Sequence, residues 1–236
     1  MIKFFIKTRQ NLLSEGKIGK YFKYAIGEII LVVIGILIAL QINNWNEAQK
    51  MNQWEHRFLT DLKSELKTNL DQLEEINNRH LLVGKTCDEL KSVIPTATIK
   101  DRTKIDSLYT LTLFQSTFFP TTGVYDSGLS AGKIENIRND KLKYEIMNLY
   151  NHYYKRLVYN GEVLDGVIGQ IDLHRDEYFD RTNMKVKSWD YIKSLEFLLK
   201  IDYLKGRNIE YTFLTNENVK EIKRIITSIS DELGNN

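Results

Sequence analysis

Hydrophobic and polar positions alternate in three regimes along this chain. The first is a solid apolar run. Of the 18 residues from Ala25 to Ile42, twelve are Ile, Leu or Val, and only Glu28 and Gln41 are strongly polar. At about 1.5 Å per residue, 18 helical residues cover roughly 27 Å, close to the ~30 Å hydrocarbon core of a bilayer. Twelve aliphatic residues at roughly 0.3–0.6 kcal/mol each favour insertion by about 5 kcal/mol. Glu28, near one end, opposes it by at most about 3 kcal/mol. Aromatic residues flank the run, with Tyr21, Phe22 and Tyr24 before it and Trp45 after it, as interfacial belts do. The pattern predicts a transmembrane helix over residues 24–45.

The second regime is an amphipathic stripe. Trp54, Phe58, Leu62, Leu66, Leu70 and Leu73 recur at steps of four and three, and Ile76, Leu81 and Leu82 extend them. No Pro or Gly lies between Gly35 and Gly84, so the membrane helix is expected to continue outward to about residue 93, with Asn43-Asn44 as the one candidate kink. The third regime is a set of shorter helical patterns. Pro95 ends the long element, and a helix follows over about 104–116. Short turns are expected at Val124–Ala131 and Ile134–Ile137. Asn139 or Asp140 then caps a long helix reaching Phe179, with Gly161, Gly166 and Gly169 as weak points. Ser188 caps a helix over 189–204 that Gly206 stops, and Asn216 caps the last one, with Glu217 in its first turn. No window alternates with period two and no internal repeat is evident, so no sheet is expected. The fold class is all-α: an N-terminal transmembrane helix continuing into an extended antiparallel helical bundle.

Charge then sets the orientation. Before the span lie Lys3, Lys7, Arg9, Lys17, Lys20 and Lys23 against Glu15 alone, whereas residues 51–236 hold 26 basic and 28 acidic residues. The excess of positive charge on the leader predicts a cytoplasmic N-terminus and an exported remainder. The leader is basic over its whole length and no small-x-small site follows the apolar run. A retained anchor is therefore expected rather than a cleaved signal peptide. Ile2, Phe5, Ile6, Leu12 and Leu13 fall at helical spacing among basic residues, which suits a surface helix on an anionic leaflet. The predicted organisation is a basic amphipathic cytoplasmic leader over 1–23, a membrane helix over 24–45 and a periplasmic helical domain over 46–236. The domain is close to neutral, so no nucleic-acid partner is expected. Cys87 is the only cysteine, so no intramolecular disulfide can form.

Candidate chemistry is sparse. Glu28, Gly35, Ala39 and Asn46 fall on nearly one face of the membrane helix. Gly35 and Ala39 form a small-xxx-small pair that admits a second helix closely, which gives a predicted membrane-helix contact. The histidines His56, His80, His152 and His174 form neither a HExxH motif nor a pair of Glu-x-x-His turns. His80 and Cys87 share a helix face, and His174 lies three residues from Glu177. No metal, cofactor or catalytic residue is expected. Ser127 lies in YDSGLSAG, which does not meet the G-x-S-x-G pattern, and Gly128 to Lys133 is not a phosphate loop. The irregular stretch 120–137 is expected to be a packed corner. Tyr125, Asp126, Ser127 and Lys133 form its candidate recognition surface. Tyr144, Tyr150, Tyr153, Tyr154 and Tyr159 crowd the following helix, either as core packing with hydroxyls at the rim or as a ligand groove.

The segment YFKYAIGEIILVVIGILIALQINNWNE, with its basic leader, resembles a family of uncharacterised Bacteroidetes membrane proteins. The blocks TTGVYDSGLSAGKIENI and YEIMNLYNHYYKRL resemble that family's second recurring region. The resemblance implies inner-membrane location and carries no activity. The expected function is non-enzymatic: a single-pass inner-membrane protein whose periplasmic domain is a scaffold or accessory subunit. Its partners would be the lipid bilayer and either a second copy or another inner-membrane protein. The alternatives are a ligand-sensing periplasmic bundle signalling through a partner and, remotely, a membrane-anchored enzyme. The leader is too short for an output domain, so a one-chain receptor is not expected.

Overall fold

The computed structural model describes residues 18–113, 116–173, 175–180, 182–183 and 185–234. The expected surface helix over 2–13 and the His174–Glu177 pairing lie outside the described residues. The described residues are almost wholly helical, and the chain divides after Glu55 into two compact units.

The first unit is the early part of α1 (Ile18–Val93). Its helix is unbroken through Asn43-Asn44. The apolar run is solvent-exposed on every side, from Ile26 (55% exposed) to Ile42 (61%), and its most hydrophobic window has no buried residue. One described helix is thus long and apolar enough to cross a membrane.

The second unit, His56–Asn236, holds the rest. Here the buried face of α1 follows an alternating three–four step: Leu62, Leu66, Asn69, Leu73, Ile76, His80, Val83, Cys87, Leu90 and Ile94. That 3.5-residue period is the seam of a coiled coil, which keeps one face turned to its neighbours. It differs from the expected stripe, because Leu81 and Leu82 are exposed while Asn69 and His80 take seam positions. Pro95 has no N–H to continue the α pattern, so α1 ends at Val93 in a 3₁₀ turn over Ile94–Thr96. Thr98 and Asp101 form a capping box that starts the next turn, and α2 (Arg102–Leu113) returns alongside α1. Glu89 and Lys104 pair at 3.0 Å across the two. After the irregular segment around Phe118 comes α3 (Gly123–Ser130), then a 3₁₀ turn over Ile134–Asn136.

Asn139 caps α4 (Asp140–Asn148) as expected, its side-chain oxygen accepting from the Leu142 N–H at 3.1 Å. Helix continues through a π-helical stretch, Leu149–Tyr154, into α5 (Lys155–Leu173). Helix is described again at Arg175–Tyr178 (α6) and gives way at the expected place to Phe179–Asp180 (β1), which pairs antiparallel with Lys185–Val186 (β2). This two-residue ladder corrects the expectation of no sheet. Phe179 and Val186 both enter the core there, and Asp180 ties the turn through Thr182 and Asn183. Such a hairpin is too short for period-two alternation to show.

Ser188 caps only the turn α7 (Trp189–Ile192), and Ser194 accepts from the Phe197 N–H at the start of α8 (Leu195–Gly234). Helix α8 runs for 40 residues, so Gly206 does not stop it and Asn216 and Glu217 sit mid-helix. Gly206 faces open space, and the roughly 1 kcal/mol it costs is outweighed by burial of Leu204, Asn208, Tyr211 and Leu214 along the same helix. Within this unit α1 and α8 are antiparallel, tied by Lys91–Asp202, Asp88–Lys205 and Glu74–Lys223. The α4–π–α5 rod runs antiparallel to α8, through Glu145–Arg224 and Tyr153–Glu221.

Candidate functional site

Two surfaces of the helical unit combine shape with polar chemistry. The first is the corner where α3 crosses α1 and the π-helical stretch. Glu65 is 6% exposed. One of its carboxylate oxygens accepts from the Val124 N–H in the first turn of α3, and the other from the Tyr150 hydroxyl, both at 2.6 Å. It therefore caps α3 from another helix, where the exposed N–H groups and helix dipole favour negative charge. One turn further along α1, Asn69 brackets Thr121. Its Nδ2 donates to the Thr121 carbonyl and its Oδ1 accepts from the Thr121 N–H, each at 2.8 Å. The same Nδ2 donates to the Tyr154 hydroxyl at 3.1 Å. Tyr211 accepts from the Phe118 N–H at 2.8 Å, and His80 bonds the Ser116 carbonyl at 2.8 Å. The irregular segment is thus held by buried side chains at each step.

The π-helical stretch makes this geometry. Each π turn carries more residues than an α turn, which rotates the tyrosines towards the corner. Tyr150 stacks on Tyr125 with centroids 4.0 Å apart and planes at 4°, and packs edge-on to Tyr154. Burial pushes the hydroxyls of Tyr125, Tyr150 and Tyr154 above the ordinary tyrosine range, so they act as neutral hydrogen-bonding groups. Gly128 is required here: a Cβ on it would lie 2.7 Å from the Phe58 ring and 3.2 Å from Ile134. Gly132, with φ of 63°, turns the chain out of α3.

The predicted recognition residues separate. Tyr125 is 3% exposed and its hydroxyl accepts from Asn151 at 3.0 Å. Asp126 is exposed and accepts from the Thr122 hydroxyl at 2.7 Å. These two border a groove of about 440 Å³ beside Pro120, Asn151 and Tyr159, which Ser127 and Lys133 do not line. Of the crowded tyrosines, Tyr150 and Tyr154 are core, while Tyr144 and Tyr159 face solvent. On the apolar part of α1 and just beyond it, Gly35 has open space around its Cα, Ala39 and Asn46 are exposed, and Glu28 is half-exposed. Sequence reasoning missed Glu65 and Asn69. Their signal was a charge beside the apolar stripe and an amide within it.

The second surface is a cleft of about 780 Å³ between α5 and the start of α8. Tyr109, Phe197 and Ile201 form its floor, and Val167 and Ile171 its α5 wall. Tyr178 and Tyr191 close one end, stacked with centroids 3.5 Å apart. Lys200 donates to the Tyr191 hydroxyl at 2.7 Å and pairs with Glu196 at 3.0 Å. Those bonds hold the Lys200 ammonium above the usual lysine range. Among the described residues, no group of three or more His, Cys, Asp or Glu is placed to hold a metal.

A model of a family of unknown function, DUF6090, matches residues 28–207. The chain belongs to the DUF6090 family. The DUF6090 match begins at Glu28 inside the apolar run and ends at Arg207 in α8, so it takes in the corner and the residues lining the cleft. No curated protein and no solved structure matches the chain.

Proposed function

We propose that this chain is a non-enzymatic, single-pass inner-membrane protein with its N-terminus in the cytoplasm, whose exported helical domain is a scaffold that assembles with a second copy of itself. The observation that carries this reading is the outer face of α8. Leu195, Leu199, Tyr203, Ile209 and Phe213 are each 56–71% exposed. At 100° per residue they fall within one sector of the helix, opposite the buried face of Ile201, Leu204, Asn208 and Tyr211. The stripe is about 27 Å long. It presents roughly 500–600 Å² of apolar surface, at the upper end of what a monomer shows.

Its size favours a tethered second copy as the occupant. A stable interface buries about 800 Å² per partner. The stripe alone falls short of that, and membrane anchoring supplies the missing affinity by raising the effective concentration of neighbours. Anchored copies all stand the same way up, so identical stripes meet in parallel around a two-fold axis, and Gly35 and Ala39 offer a second self-complementary contact in the bilayer. The test uses Tyr203→Cys and, as control, Ser107→Cys, exposed on α2, which packs through Tyr109 against the buried Phe197 of α8, in native membranes and both in a Cys87→Ala background. Oxidative crosslinking of Tyr203→Cys to a dimer, lost with Phe213→Glu and absent for Ser107→Cys, supports the reading. A monomer at both positions overturns it. A reporter fused after Asn236 that reads cytosolic overturns the orientation.

A further inference from the structure

We propose that the cleft between α5 and α8, which shares Leu199 and Tyr203 with the apolar stripe of α8, binds an amphipathic carboxylate: an apolar body against the aromatic floor and a carboxylate at Lys200 and Tyr191. The cleft lies within the range of small-ligand sites, and its lining is mostly aromatic and aliphatic, with Tyr191, Glu196 and Lys200 joined by hydrogen bonds and Gln170 on the α5 wall. Exposed Tyr203 and Leu199, with half-buried Val167 and Ile171, offer apolar contact to such a body above the buried Tyr109 and Phe197.

The polar cluster selects charge. Lys200 Nζ and the Tyr191 oxygen are 2.7 Å apart, and because the tyrosine accepts from the lysine, it keeps its own hydrogen to donate. An ammonium and a hydroxyl at that separation fit the two oxygens of one carboxylate. Glu196 already shows the preference, since its carboxylate sits 3.0 Å from Lys200. The Glu196 side chain is 66% exposed, one turn before Lys200 on the same helix. A surface pair of this kind contributes little to stability, so a ligand can displace it and return Glu196 to water. A cationic ligand would have to compete with Lys200 for that same acid. No covalent step is involved.

The test is calorimetric titration of the full chain in lipid nanodiscs, with empty nanodiscs as the reference. The probes are 2-naphthoate and decanoate, which separate an aromatic acid from an alkyl one, and 2-naphthylmethylammonium and 2-naphthylmethanol. Saturable binding of either acid, at least tenfold tighter than the amine or alcohol of the same ring, is the expected result. Lys200→Met should weaken the acid tenfold or more while leaving the alcohol within twofold. Glu196→Gln should tighten the acid severalfold, because the internal competitor is gone. Val167→Trp, at a half-buried wall position, should abolish all binding with the helical signal unchanged. Failure of both acids to bind, equal binding of acid and amine, or indifference to Lys200→Met would each overturn the proposal. Tyr203 borders both surfaces, so crosslinking is read without ligand and calorimetry on the unsubstituted Tyr203 chain, which keeps loss of the ligand site and loss of self-assembly distinguishable.

Discussion

Replacing Tyr150 with phenylalanine removes one oxygen atom and preserves the ring that stacks on Tyr125. The lost bond is the 2.6 Å donation to Glu65, whose other carboxylate oxygen stays on the Val124 N–H. Glu65 is 6% exposed, so water does not readily replace the donor. A hydrogen bond to a charged group contributes about 1.5–3 kcal/mol, and an orphaned buried acceptor sits at the upper part of that range. The expected loss is therefore about 2–3 kcal/mol. For a unit of 181 residues, His56–Asn236, that corresponds to a fall in Tm of roughly 5–10 °C. The assay is guanidinium and thermal unfolding of the full chain in nanodiscs, followed by helical circular dichroism. A cycle with Glu65→Gln isolates the pair, and a coupling of about 1–2 kcal/mol is expected. A Tyr150→Phe variant within about 0.5 kcal/mol of the parent would refute the assignment of Glu65 as the group that holds this corner, since that is the spread of ordinary surface substitutions.

Four further outcomes follow. Gly128→Ala should destabilise by about 1–3 kcal/mol in denaturant unfolding, because its Cβ meets the buried Phe58 ring at 2.7 Å, and Phe58→Leu in the same chain should restore part of the loss. Gly206→Ala should stabilise by about 0.5–1 kcal/mol by the same measure, since the glycine lies mid-helix with open space around it; a loss would mean that the helix ends there. Asn139→Ala should cost about 1 kcal/mol through its N-cap bond, and Asn139→Asp should recover only part of it, because it keeps the cap but replaces the Nδ2 donation to Glu232 at 2.8 Å with two facing carboxylates. Burial pushes the Cys87 thiol up to about 12 from an ordinary 9.0. Its contribution is thus fully present below pH 9 and lost as pH rises from 9 towards 12, at about 1.4 kcal/mol per pH unit, because the unfolded chain ionises first. A thiol-reactive disulfide should accordingly leave native Cys87 unlabelled at pH 8 and label it in guanidinium; rapid native labelling would contradict the burial.

The local signals that sequence offered were unequal in strength. The apolar run, the Pro95 break, the Asn139 cap and the short turns after Pro120 were all legible, because each is decided by residues adjacent in the chain. Gly206 and Asn216 misled for the opposite reason. Both are good terminators by propensity, yet burial of the opposite face of α8 outweighs them. The hairpin at Phe179 and Val186 was too short to leave a periodic mark. The π-helical stretch is set by where Tyr150 and Tyr154 find Glu65 and Asn69, residues about 85 positions earlier. Asn69 and His80 did carry a readable signal as polar residues in a 3.5-residue seam, but only once the seam was drawn through them instead of Leu70 and Leu81. The cleft was invisible, since it joins α5, the tyrosines flanking a hairpin and the start of α8.

A widened turn is what an α-helix becomes when one residue too many is spliced into it. Excising a single residue between Leu149 and Tyr154 would let the backbone relax to ordinary α pitch with little change of phase, since six π residues and five α residues turn the chain by about the same angle. Helices α4 and α5 would keep their faces towards α8, and the cost would fall on the tyrosines inside the stretch, which could no longer meet both Glu65 and Asn69. The widened turn thus confines the irregularity of the rod to the residues that build the corner.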